Sequence, residues 1–141
     1  MMKSIQHLAL CLSLIAFICS CGSDDGVEKK FAGDELTGKP WSVTEIEVEL
    51  GTLTPQPCIS DNNYTYFESG RYEVNEGVTK CDPNDPPGLT GSWSLNDDES
   101  EITIQLEDSV RVWTILEVTN SIHRLSSDFD GDEIIYTFES L

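Results

Sequence analysis

Five cysteines are the side chains best suited to covalent chemistry in this chain of 141 residues. Three of them, Cys11, Cys19 and Cys21, lie within or directly after an apolar run near the N-terminus. Cys58 and Cys81 lie far from this run. Cysteine can carry a lipid, form a disulfide or bind a metal, so the surroundings of each cysteine must decide between these uses.

The apolar run predicts export from the cytosol. Lys3 supplies a positive charge, and residues 8–18 follow with Ser13 as their one strongly polar member. This arrangement is typical of a secretory signal peptide. At about 1.5 Å of rise per residue the run is too short to span a bilayer, which makes a permanent transmembrane helix the weaker interpretation. Residues 1–20 are therefore predicted to be a signal peptide.

Cys21 is the residue before which cleavage is expected. It follows Ser20, a small residue of the kind that a signal peptidase needs, whereas Cys11 and Cys19 follow large aliphatic residues. The letters Ile18-Cys19-Ser20-Cys21 resemble the lipobox of bacterial lipoproteins. That resemblance implies acylation of Cys21 and a lipid anchor in the membrane. An ordinary signal peptide followed by an unmodified cysteine is the alternative.

Residues 21–35 are predicted to form a flexible tether. Small and acidic residues, Gly22-Ser23-Asp24-Asp25-Gly26, follow Cys21 with no apolar side chain to order them. An acidic run at this position also resembles the export signal of surface-exposed lipoproteins of the Bacteroidota type, and a solvated linker explains it equally well. The expected location is the outer membrane, facing the periplasm or the cell surface.

Cys58 and Cys81 are predicted to form a disulfide, because the exported chain leaves the reducing cytosol. Ser69-Gly70 predicts a two-residue hairpin loop with Phe67 opposite Tyr72, so that opposed residue numbers add up to 139. The numbers of the two cysteines have the same sum. Opposed residues in an antiparallel ladder are close enough for a disulfide.

Catalytic sites have little support. His123 is the only histidine after the predicted signal, so one chain cannot build a site from several histidines. No Gly-x-Ser-x-Gly motif surrounds a serine, and His123 is expected to be solvated or hydrogen-bonded on a strand. Paired carboxylates for glycoside hydrolysis have only the abundance of acidic residues in their favour. The sequence predicts no catalytic residue, no cofactor and a protein that is not an enzyme.

The acidic segment 128–133 has two interpretations. Alternating carboxylates can converge on a hard cation such as calcium, but the glycine stands at the fourth position, where an EF-hand loop needs it at the sixth. A tight hairpin built on Asp130-Gly131 explains the same letters and is favoured. No metal site is therefore assigned.

The charge balance disfavours nucleic acid as a partner. The formal net charge is −18, and without the signal and its Lys3 seven basic residues stand against 26 acidic ones, so that 7 − 26 = −19. Such a surface repels nucleic-acid phosphates.

The pattern of the remaining chain predicts an all-β sandwich or barrel. Ala32 is the one alanine beyond the signal, and short runs of β-branched and aromatic residues alternate with turn residues. The apolar phase changes within the first run, which predicts a bulge. Eight strands are expected, with the last five as a meander: 41–50, 64–67, 71–78, 92–95, 102–106, 110–118, 122–126 and 133–139.

Four aromatic side chains are candidate ligand contacts: Trp93, Trp113, Tyr136 and Phe138. Packing in a small core is the alternative role for them. If a barrel closes, the apolar faces Ile102/Ile104/Leu106 and Ile134/Tyr136/Phe138 must turn inward.

Several segments together resemble the bacterial lipocalin-like domain. They include Gly38-Lys39-Pro40-Trp41, the stretch 61–67 after Cys58, Gly91-Ser92-Trp93-Ser94-Leu95 and Tyr136-Thr137-Phe138. The resemblance covers residues 36–138. It implies an eight-stranded antiparallel up-and-down β-barrel over 36–141, with Trp41 as a structural plug and a non-enzymatic role in binding small apolar molecules. A filled barrel is the rival, with loops 51–62 and 82–90 contacting a protein or glycan. A cavity of about 300 Å³ or more would favour the binding role.

Overall fold

A computed structural model describes residues 32–141, and the predicted signal peptide and Cys21 lie outside this range. The elements are α1 (Ala32–Leu36), β1 (Pro40–Val48), β2 (Gly51–Leu53), α2 (Pro57–Ser60), β3 (Asn63–Tyr66), β4 (Arg71–Asn75), β5 (Gly88–Leu95), β6 (Glu101–Gln105), β7 (Val110–Val118), β8 (Ile122–Phe129) and β9 (Asp132–Ser140). The first helix, α1, begins at Ala32, within the segment 21–35 that the sequence predicts to be a tether.

The strands form a closed antiparallel barrel of eight, as the sequence predicts. From β3 to β9 each strand pairs with the next, and β1 pairs with both β9 and β3. The β1/β3 contact is short, with only Pro40↔Thr65 and Trp41↔Tyr64 in register. The short strand β2 extends the sheet beside the C-terminal end of β1 and was not predicted.

The predicted bulge in the first strand is confirmed. Between Val43↔Phe138 and Glu45↔Thr137 the β1/β9 register shifts, which leaves Thr44 as the extra residue. The inserted residue moves the apolar side chains of β1 from odd to even positions while they stay on one face.

Apolar and polar side chains alternate along β6, and as expected the apolar ones face the core. Ile102 and Ile104 are buried in the barrel, whereas Glu101 and Gln105 are exposed. The core as a whole is aromatic and aliphatic, and its buried apolar members are Leu36, Trp41, Val43, Tyr66, Tyr72, Ile102, Ile104, Leu125 and Phe138.

One end of the barrel is covered by α1. Leu36 is fully buried there, and its carbonyl accepts a hydrogen bond from Trp41 Nε1 at 2.8 Å. Thr37 forms a parallel bridge with Tyr66, which ties the segment after α1 to the rim. We call this the capped end. Trp41 is fully buried beneath α1, in agreement with the role of structural plug that the resemblance implies.

The opposite end carries the disulfide between Cys58 and Cys81, whose Cα atoms lie 5.1 Å apart. The predicted bridge is confirmed, but the predicted register is wrong. The ladder pairs Tyr66 with Tyr72, because Gly70 has φ +80° and forms a three-residue loop with a bulge instead of a two-residue loop. The cysteines lie beyond the ladder, Cys58 in α2 and Cys81 in the following loop.

None of the helices between residues 32 and 141 has the length and apolar character needed to cross a membrane.

Candidate functional site

The barrel contains a cavity of about 210 Å³ near the uncapped end. Leu89 and Arg111 line it and are also exposed to solvent, so they mark its mouth. The deeper wall is apolar and aromatic. The residues that line the cavity are Val43, Ile59, Asn62, Tyr64, Tyr66, Tyr72, Val74, Glu76, Leu89, Ile104, Leu106, Arg111, Trp113, Leu125, Tyr136 and Phe138.

Strand alternation places these side chains on the inner face. Tyr72 and Val74 are two residues apart on β4, as are Arg111 and Trp113 on β7. Side chains at this spacing point to the same face of a strand. Ile104 lies opposite Arg111 in the β6/β7 ladder, which puts the guanidinium group on the inner face at the mouth.

Tyrosine hydroxyls supply part of the cavity's polarity. Tyr64 is hydrogen-bonded to the Asn62 side chain, and burial raises the pKa of the Tyr64 hydroxyl above its ordinary value. Burial likewise raises the pKa values of Tyr66 and Tyr72. All three hydroxyls therefore stay protonated at neutral pH and act as uncharged hydrogen-bonding groups.

Trp113 adds a hydrogen-bond donor to the cavity wall. Its Nε1 atom is buried and makes no hydrogen bond with a described residue. The ring packs edge-on against Tyr136 with 5.1 Å between centroids. A buried donor without a partner costs roughly 1–3 kcal/mol, so an acceptor delivered by a ligand would recover free energy here.

Three of the four predicted ligand contacts line the cavity: Trp113, Tyr136 and Phe138. Trp93 does not. Its Nε1 donates to the Phe67 carbonyl at 2.9 Å, and its ring packs edge-on against Tyr66 toward the capped end. The structure thus brings three of these residues to one site and gives Trp93 a packing position.

The expectation for His123 is wrong. The side chain is fully buried, and neither ring nitrogen has a hydrogen-bond partner among the described residues. It stacks on Phe138 at 4.3 Å and packs edge-on against Trp41 at 4.4 Å. Burial, with a smaller contribution from the charge of Lys39, lowers the pKa of His123 to about 3. His123 is a neutral core residue at physiological pH.

The hairpin interpretation of the acidic segment is confirmed. Phe129 pairs with Asp132, and the two turn residues Asp130 and Gly131 have φ values of 56° and 92°. Positive φ at both central residues defines a type I′ turn. Asp128 accepts the Gly131 N–H at 3.0 Å. In the part of the chain that the structure describes, no three His, Cys, Asp or Glu residues are placed to hold a metal ion.

A cleft between β7 and β8 reaches the cavity from the side. The ladder between these strands starts at Thr114↔Ser126, so 110–113 and 127–129 are unpaired along the facing edges. The cleft has a volume of about 480 Å³. Arg111, Trp113 and Tyr136 line both the cleft and the cavity, and they therefore stand at the junction of the two.

Sequence reasoning missed Arg111 as a site residue, although a signal was present. Arg111 shares its alternation phase with Trp113, which was a candidate contact. The inward orientation of His123 could also have been predicted from the sequence. A hairpin centred on Asp130-Gly131 places His123 opposite Phe138, and opposed residues share a face of the sheet.

Comparison with known proteins agrees with this architecture. No protein-family model and no curated protein matches the chain. Among solved structures, a lipocalin-like protein from Bacteroides uniformis ATCC 8492 is similar with a TM-score of 0.55 and 17% sequence identity. The match covers 76% of this chain and 99% of that one. The fold of residues 32–141 is thus a lipocalin-like barrel.

Proposed function

We propose that this protein is a non-enzymatic binding protein whose barrel holds one small apolar molecule. The observation that carries the proposal is the cavity, which has a floor of apolar and aromatic side chains and a mouth beside Leu89 and Arg111. Ligand sites in proteins commonly combine such an apolar wall with a few polar groups. The lipocalin-like fold supports the same role.

The size of the cavity sets the size of the ligand. A volume of 210 Å³ does not meet the criterion of about 300 Å³ given in the sequence analysis, which is the lower end of the range of about 300–1,000 Å³ for sites of drug-sized molecules, so the proposal is restricted to smaller ligands. It exceeds the roughly 150 Å³ of an apolar cavity that binds benzene. The expected ligand therefore has one or two rings or a short chain inside the barrel, and a sterol does not fit.

The proposed setting is the outer membrane, on its periplasmic or cell-surface side. Support for it comes from the predicted signal peptide and from Cys21, whose acyl chains would anchor the protein through the tether. The barrel would then take its ligand close to a membrane surface.

A titration with 1-aminonaphthalene, a fluorophore that brightens in apolar surroundings, tests the binding role. The full chain is placed in phosphatidylcholine vesicles, and the signal of empty vesicles is subtracted. We expect saturation at one molecule per barrel and competition by small hydrocarbons but not by sterols.

Two matched variants locate the binding. Val74→Phe fills the cavity and should weaken binding at least about tenfold, because the ligand loses its buried contacts. Val78→Phe makes the same change at a fully exposed position and should have no effect. Absence of saturable binding, or equal loss in both variants, would contradict the proposal.

A second function has its own observation. Large apolar side chains are exposed around the uncapped end, with Leu50 at 97%, Phe129 at 66% and Val110 at 61%. Exposed apolar clusters are common where a protein contacts a partner. If the cavity binds nothing, these residues favour a filled barrel that contacts a protein or glycan.

A further inference from the structure

Arg111 differs from the other basic side chains that the structure describes. Arg71 pairs with Glu73, Arg124 pairs with Glu47, and the ammonium groups of Lys39 and Lys80 donate to backbone carbonyls. Among the lysines and arginines of residues 32–141, Arg111 alone makes neither a hydrogen bond nor an ion pair. Its guanidinium therefore keeps its full set of donors for a molecule that enters the mouth.

Trp113 lies beside Arg111 and also offers an unused donor. The two residues are neighbours on the inner face of β7, about 6.6 Å apart along the strand. The buried Nε1 of Trp113 has no acceptor among the described residues. Both side chains line the cavity and the cleft, so one group at the junction can meet both.

The carboxylates near this junction are already engaged. Glu76, at the cavity, accepts a hydrogen bond from Asn62 Nδ2 at 3.4 Å. Asp128, at the cleft, accepts the Gly131 N–H at 3.0 Å. Each of these carboxylates thus accepts a hydrogen bond from another group, and neither is paired with Arg111 among the described residues.

We propose that the site selects monocarboxylic acids with a small apolar body. The body occupies the cavity against Ile104, Leu125 and Phe138, and the carboxylate accepts hydrogen bonds from Arg111 and from Trp113 Nε1. A longer substituent leaves through the cleft between β7 and β8. This inference rests on the proposed binding function and adds the chemical class of the ligand.

Three ligands with similar apolar bodies separate the contributions of charge, hydrogen bonding and apolar contact to the affinity. They are 3-phenylpropanoate, its neutral amide and ethylbenzene. Each competes with 1-aminonaphthalene for the full chain in phosphatidylcholine vesicles at low salt. We expect the acid to bind at least about tenfold more tightly than the amide, because charge-assisted hydrogen bonds are the stronger ones. Salt should reduce this ratio, since Arg111 is partly exposed to solvent.

Variants assign the selectivity to the two donors. Arg111→Gln should bring the ratio of acid to amide close to one, because the acid loses a charge-assisted hydrogen bond and the amide only a neutral one. Trp113→Phe keeps an aromatic ring without the N–H, and should weaken acid and amide about fivefold more than ethylbenzene, which accepts no hydrogen bond. Arg71→Gln is the matched control, because Arg71 is exposed outside the cavity.

The outcomes distinguish this inference from the proposed function. Equal affinity for acid, amide and hydrocarbon, or an unchanged ratio in Arg111→Gln, overturns the inference and leaves a general apolar binding site. Absence of saturable binding for all three ligands overturns both. A loss of all three ligands in Trp113→Phe would show a structural role for the ring and contradict its part as a donor.

Discussion

Two aromatic side chains, Trp113 and His123, carry buried nitrogen atoms that have no hydrogen-bond partner among residues 32–141, but they differ in position. Trp113 stands where the cavity meets the cleft, and a ligand can reach it. His123 is enclosed by Trp41, Tyr66 and Phe138 on the side of the capped end. The first is a candidate binding group, whereas the second affects stability.

His123 should make the protein less stable as the pH falls below neutrality. Its pKa is about 3 in the folded protein and 6.5 when unperturbed, so the unfolded state binds a proton in this interval and the folded state does not. Stability is then unaffected above the unfolded value and decreases as the pH falls toward the folded one. Between pH 7 and pH 5 the loss should be about 2 kcal/mol.

Urea denaturation of the wild type and of His123→Phe at both pH values measures this effect. All other side chains are the same in both proteins, so the difference between their changes in unfolding free energy isolates the contribution of His123. His123→Leu controls for the larger ring of phenylalanine. Parallel stability curves for wild type and variants would show that His123 is not buried in its neutral form.

Hairpins show which structural elements could be predicted from residue types. Asp130-Gly131 was predicted to form a hairpin, and the β8/β9 register is the one that a two-residue turn at these residues produces. Ser69-Gly70 gave a register wrong by one residue, because glycine also serves as the bulge of a three-residue loop. β2 and α2 were missed, since three exposed residues and a single turn are too short for periodicity. Pro57 at the first turn of α2 was the one available signal.

The close contact between β5 and β6 depends on Gly91. A Cβ atom at this position would lie 2.2 Å from the Gln105 carbonyl oxygen, which is backbone and cannot move without shifting the strand. Gly91→Ala should therefore destabilise the barrel by about 1–3 kcal/mol. Gly33→Ala in α1 is the control, because the new methyl would make an ordinary contact with Leu95 at 3.6 Å. The urea midpoints of Gly91→Ala and Gly33→Ala measure this difference. Equal midpoints would contradict the close approach of β5 and β6 at Gly91.

The disulfide joins α2 to the loop after β4 beside the mouth of the cavity. Two hydrogen bonds support the same connection: Gly77 N–H donates to Asn62 Oδ1 at 2.9 Å, and Thr79 N–H donates to Asp61 Oδ2 at 2.8 Å. Reduction should lower the free energy of unfolding by about 3 kcal/mol, from the loop that the bridge closes. Urea denaturation with and without reductant tests this. A Cys58→Ala/Cys81→Ala variant that is unaffected by reductant is the control, and an unchanged midpoint for the reduced wild type would be the contrary result.

Alternation and turn spacing predicted eight strands in an all-β sandwich or barrel, and the resemblance to the lipocalin-like domain implied the closed barrel that the structure has. The existence and position of the cavity could not be predicted from the sequence. Whether Trp93 or Trp113 faces an open space depends on how neighbouring side chains fill the barrel, and both belong to the same kind of sequence pattern.

Attachment to the membrane is predicted to depend on Cys21. Cys21→Ser should move the protein from the membrane fraction to the soluble fraction, because the residue predicted to be acylated is lost. Cys19→Ser is the matched control and should remain with membranes. Retention of the Cys21→Ser protein in the membrane fraction would contradict the anchor.

The three tryptophans make a direct test of the binding function possible. Trp113 lines the cavity, while Trp41 and Trp93 lie toward the capped end and do not. Fluorine NMR of protein labelled with 5-fluorotryptophan, assigned by Trp113→Phe, follows each side chain separately during titration with 3-phenylpropanoate. We predict a saturable shift of the Trp113 resonance at one ligand per barrel, with the other two nearly unchanged. Three unchanged resonances, or a shift confined to Trp41 or Trp93, would contradict binding in this cavity.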